Sequence, residues 1–175
     1  WEMHPNLDQI VACTAGDIQA YRGSSFEIEA NAFAAELLMP SFLLSNELQF
    51  RSPTVETALR LADRFQTSFT ASALRMIQFS QLPVFVAFSA NGRLKWYQGS
   101  ACSKDYFFKQ LGSELDGDSL ARYCTTELDE LSQPEYVESS AWFPDDYHKH
   151  RFKVLEESVE LGDYGVTVSI ITVDD

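Results

Sequence analysis

Residues 24–40 read Ser-Ser-Phe-Glu-Ile-Glu-Ala-Asn-Ala-Phe-Ala-Ala-Glu-Leu-Leu-Met-Pro. Ser24 is a favourable N-cap, and Glu27 follows at the capping-box spacing. Strong helix formers fill the interior, and Pro40 opposes continuation beyond Met39. The spacing predicts one helix, with Phe26, Ala30, Phe33, Leu37 and, beyond the proline, Phe42 following the helical period as an apolar face. Glu27, Asn31 and Ala34 form a neighbouring stripe, because residues four apart stack on a helix. That polar stripe is the candidate site.

The run from Glu27 to Pro40 resembles the signature Glu-x-Glu-Ala-(Asp/Asn)-x-Phe-Ala-x-x-Leu-Leu-Met-Pro of the ImmA/IrrE family of zinc metallopeptidases. Leu61-Ala62-Asp63-Arg64-Phe65-Gln66-Thr67-Ser68 is similar to that family's Leu-Ala-x-x-Phe-x-Val-Ser, and extends the likeness to about residue 80. In the family, a His-Glu-x-x-His helix supplies two zinc ligands and the general base, and a later helix supplies a glutamate as third ligand. The resemblance implies Glu27 as the metal ligand and Asn31 as the partner that orients a ligand histidine, with Glu29 in reserve. Glu27 also has a purely structural role open to it, because the capping box would engage the same carboxylate.

The sequence departs from the family at the decisive place. It contains no His-Glu-x-x-His, and it opens Trp1-Glu2-Met3-His4-Pro5, which is similar to the family's chain immediately after that motif. A catalytic zinc takes about three protein ligands and a water. The expectation is a chain starting just after the motif, with no catalytic residue of its own and no zinc bound, whereas the intact protein would use zinc.

Composition bounds the alternatives. The net charge of −13 makes phosphate backbones and anionic lipid poor direct partners, so neither nucleic acid nor membrane is expected. The acid is concentrated in residues 83–175, with 17 acidic against 8 basic residues, while residues 1–82 carry 9 against 5. Cys13, Cys102 and Cys124 are odd in number and form no Cys-x-x-Cys, which argues for a reducing, cytoplasmic setting. The hydrophobic fraction of 45% is enough for a packed core.

Beyond Pro40, residues 42–44 suggest a short turn of helix. Two further helices are predicted. Ser52 or Thr54 caps the first, with Val55, Ala58, Leu59, Ala62 and Phe65 as its stripe, and Thr67 or Ser68 caps the second, with Phe69, Ala73, Met76 and Ile77 inward. The pair has the outline of a helix-turn-helix, but Arg75 is the only basic residue on its second helix, so charge argues against DNA readout.

Leu82-Pro83 marks a change of pattern and the expected domain boundary. Residues 84–88 and 94–97 flank Asn91-Gly92, the strongest short hairpin signal. Residues 102–112 suggest an amphipathic helix, and 119–124 and 126–131 suggest helical pieces. Ala141-Trp142-Phe143-Pro144 reads as core-facing. Residues 152–159 alternate like a strand with one wet face, so Glu156-Glu157 reads either as an acid pair for catalysis or, more simply, as a solvated strand face. Residues 166–173 read as a buried strand. The fold class is α+β: a helical remnant of a zincin-like domain over 1–82, then a small mixed domain over 83–175. Trp142-Phe143 and Glu156-Glu157-Ser158 give this second part a resemblance to the GAF-like, sensor-like domain of longer family members. His148-Lys149-His150 near Asp145-Asp146 is weak as a metal site beside the simpler reading of an exposed loop.

The function this implies is a zinc-dependent regulatory metallopeptidase that cleaves a repressor-like protein substrate in its intact form. The alternative is a non-catalytic binding or sensor module that has lost the metal site.

Overall fold

The computed structural model describes residues 25–49, 51–124, 133–144, 152–162 and 165–174, with 25–27 described as backbone. The Ser24 cap, the Phe26 and Glu27 side chains, residues 126–131, His4, and the Asp145-Asp146 and His148-Lys149-His150 group lie outside that description.

Four helices come first. These are α1 (Ser25–Leu38), α2 (Ser41–Leu48), α3 (Val55–Phe65) and α4 (Phe69–Gln78). Thr54 Oγ1 accepts from the backbone of Thr57 and caps α3, and Ser68 Oγ accepts from that of Ala71 and caps α4. Gln66 turns the chain between them in the left-handed region, at φ 52°.

The strands are β1 (Val84–Ala90), β2 (Arg93–Gly99), β3 (Glu135–Glu138), β4 (Lys153–Glu160) and β5 (Val166–Val173). They form one antiparallel sheet in the order β2-β1-β5-β4-β3. Asn91 and Gly92 both have positive φ, as a tight turn between twisted strands requires, and they close the β1–β2 hairpin. The protein is therefore α+β, with the helical part first.

Both faces of the sheet are covered, and strand alternation divides the core. Val84, Val86, Val159, Val168 and Ile170 pack with Ala58, Leu61, Ala73, Met76 and Ile77 of α3 and α4. Phe85, Ala87, Val154, Ile171 and Val173 face the other way, under Phe108, Leu115, Trp142 and Phe143. The 82/83 boundary falls between α4 and β1, and the first of these clusters runs across it.

Three expectations need correction. Residues 102–112 are not a helix: only a short 3₁₀ turn, Ala101–Ser103, forms there. Tyr106, Phe107 and Phe108 run half-buried, exposed, buried, and Lys109 N–H donates to the Trp142 carbonyl at 2.9 Å, so tertiary aromatic packing overrides local helical preference. Strand β4 has no wet face, because helices cover one side and the aromatic segment the other; Glu156 and Glu157 are both buried. Last, the apolar face expected of α1 is open. Phe33 is 64% and Leu37 69% exposed, and Phe42, at the start of α2, is 70% exposed.

Candidate functional site

The candidate stripe lies on α1. Glu27 and Asn31 stand one turn apart on that helix, and the side chains of Glu29 and Asn31 are exposed. From Ile28 to Leu38 every side chain is exposed except half-buried Ala35. The helix meets the body at its C-terminal end. Met39 is buried, with its Sδ 3.8 Å from Thr67 Oγ1 and 4.0 Å from Ser72 Oγ, inside the turn between α3 and α4.

Polar contacts lock this corner. Glu36 reaches across Pro40 and accepts from Ser41 N at 2.8 Å and from Ser41 Oγ at 2.6 Å, so it caps α2 from the helix before it. The Ser41 hydroxyl and amide, with Arg75 behind them, hold the Glu36 carboxyl below the usual carboxylate range. Arg75, on α4, donates from Nε and Nη2 to the Met39 carbonyl at 3.3 and 3.1 Å, and from Nη2 to Ser41 Oγ at 3.1 Å. It also pairs with Glu36, donates to Gln78 at 2.8 Å and stacks over Phe79. The one basic side chain of the would-be recognition helix is therefore committed to the α1–α2 corner.

Among the described residues no group of three His, Cys, Asp or Glu side chains is placed to hold a metal ion. One carboxylate at position 27 cannot by itself complete a zinc coordination sphere. Cys102 is exposed, and the Cys124 thiol donates to the Ser158 carbonyl at 3.2 Å.

Two carboxylates matter in a way the sequence did not suggest. On the aromatic side of the sheet, Glu156 is wholly buried and receives four donors. Ser119 Oγ (3.0 Å), Ala121 N (2.9 Å) and Ser158 Oγ (2.9 Å) reach Oε1, and Trp142 Nε1 (2.8 Å) reaches Oε2. On the helix side, Glu157 Oε2 accepts from Val55 N at 2.7 Å and pins the first turn of α3 to β4. Burial raises the Glu157 carboxyl above its ordinary value; the Val55 amide opposes this and nearby Glu56 adds to it. Two adjacent acids between Val154 and Val159 were the available sign, but Trp142 as donor lies fourteen residues away and Val55 a hundred and two, beyond any local pattern.

These features define an α+β protein whose N-terminal helices include one that carries Glu27 and Asn31 a turn apart and runs into Met39-Pro40. The family model Peptidase_M78, the IrrE N-terminal-like domain, matches residues 2–76, which takes in α1, α2, α3 and most of α4. This stretch is thus related to the ImmA/IrrE metallopeptidases. No curated protein matches the chain. Among the described residues no helix is long and apolar enough to cross a membrane.

Proposed function

We propose that this chain is the later part of a zinc-dependent regulatory metallopeptidase, with Glu27 as third metal ligand and Asn31 orienting a ligand histidine. The observation that carries the reading is the fourteen-residue signature, placed on a single helix that runs into the Met39-Pro40 corner, within a segment matched by the family model. A His-Glu-x-x-His helix ahead of residue 1 would hold the other donors. The described residues do not complete the sphere, so no catalytic step is assigned to them. The substrate class the family suggests is a repressor-like protein, acted on in the cytoplasm. The acidic part after residue 82 would serve as a sensor-like domain. The commitment of Arg75 to Met39 and Glu36 supports a reading in which α3 and α4 buttress α1 and do not read DNA.

The test is elemental analysis of protein that carries a His-Glu-x-x-His helix directly ahead of Trp1. Zinc at about one per chain, lost in E27Q, supports the reading. Wild-type protein free of zinc after purification in its presence would reject it.

A further inference from the structure

Three features of the helical part stand apart from the candidate stripe: an open cleft of about 580 Å³ between α2 and the end of α4, the exposed apolar face of α1, and the corner built on Arg75.

We propose that Arg75 is the positioning residue that aims α1, and with it the metal-ligand stripe, at the rest of the domain; this rests on the reading of α1 given above. From Ile28 to Leu38 the side chains of α1 are exposed except half-buried Ala35, and Met39 is the first buried one. One guanidinium then binds the end of α1 (the Met39 carbonyl and Glu36) and the start of α2 (Ser41) together. Its own side chain is only 11% exposed and is backed by Phe79, so it is held before it holds anything else.

The geometry makes this corner a fulcrum. Glu27 lies twelve residues before Met39, about 18 Å along the axis at the helical rise. A tilt of roughly 10° at the corner moves the far end by about 3 Å, more than the ~2 Å length of a zinc–oxygen bond. A small loosening at Arg75 therefore becomes a large misplacement at position 27. Lysine can reach one acceptor, but it cannot reproduce a planar fork that serves the carbonyl, the hydroxyl and the carboxylate at once.

The test uses two readouts. In the chain as it stands, hydrogen exchange followed by mass spectrometry on peptides covering residues 28–44 reports the attachment of α1. R75M is expected to speed exchange there by about tenfold, R75K by less, while β1 and β5 amides keep their wild-type protection. In protein carrying the His-Glu-x-x-His helix, R75M is expected to weaken zinc in chelator competition by about tenfold or more, with partial recovery in R75K. Unchanged α1 exchange in a folded R75M overturns the proposal. If R75M does not fold, the E36A/S41A pair, which removes two of the three corner acceptors, must show the faster exchange, and wild-type protection in that pair overturns it equally. Failure of wild-type protein to take zinc would count against the metal reading alone, because the exchange experiment needs no metal.

Discussion

Replacing Glu156 by glutamine should be costly although it changes almost no volume. The carboxylate is fully buried and four donors converge on it, three at Oε1 and one at Oε2. A glutamine has one acceptor oxygen. Turned to keep its oxygen toward Ser119, Ala121 and Ser158, it sets an NH₂ against the Trp142 indole N–H; turned the other way, it strands the three. The first arrangement loses one bond, of the kind to a charged group worth about 1.5–3 kcal/mol, and leaves a buried donor unmet. E156Q should therefore destabilise by about 2 kcal/mol. Alanine strands Ala121, Ser119 and Trp142 together, since only Ser158 has another partner in Ser169. At about 1–2 kcal/mol each, that is on the order of 3–6 kcal/mol, against a total domain stability of about 5–15. E156A would remove a large part of that margin, so E156Q is the variant to measure. Urea unfolding followed by circular dichroism measures the effect, with W142F closing a double-mutant cycle. Removing the indole N–H removes the clash, so E156Q/W142F should fall short of the sum of the singles by about 1 kcal/mol. An E156Q cost below about 0.5 kcal/mol, or additivity within about 0.3, would refute the donor count.

Other consequences arise from the same packing. Burial raises the Glu157 carboxyl, so between the ordinary glutamate range and its higher folded value the native state holds a proton that the unfolded chain has released. Stability from this group is then lost as pH rises through that window, and E157Q, measured by urea midpoint from about pH 4 to about pH 8, should gain on wild type as pH rises; a pH-independent difference would contradict this. G99A should destabilise by about 1–3 kcal/mol in the same assay, since overpacking is felt in a close-packed core. A Cβ at Gly99 would stand 2.1 Å from Ser103 Oγ and 3.0 Å from the Phe85 ring, and S103G should recover part of that loss.

What the sequence revealed depended on how local the cause was. Helices α1, α3 and α4 follow from spacing, caps and Pro40, and the β1–β2 hairpin from Asn91-Gly92, because each signal acts within a few residues. The aromatic segment misleads because Phe107, Phe108 and Leu111 fit a helical stripe, while the deciding contacts of Phe108 are with Phe85, Tyr97 and Trp142 on other elements. The wet face expected of β4 fails for the same reason: an acid in a strand reads as solvated until its distant donors are known. At the candidate site the signature located Glu27 and Asn31 on one helix. The lone arginine argued against DNA readout by α3 and α4, but nothing in the pattern disclosed that it contacts Met39, Glu36 and Ser41, because those partners lie 34 to 39 residues away.

We propose above that the carboxylate at position 27 completes a zinc site. The direct measurement is the zinc content of dialysed protein carrying the His-Glu-x-x-His helix, compared with its E27Q and E29Q variants. About one zinc per chain is expected in wild type and E29Q, and a small fraction of that in E27Q. Zinc retained in full by E27Q would contradict it.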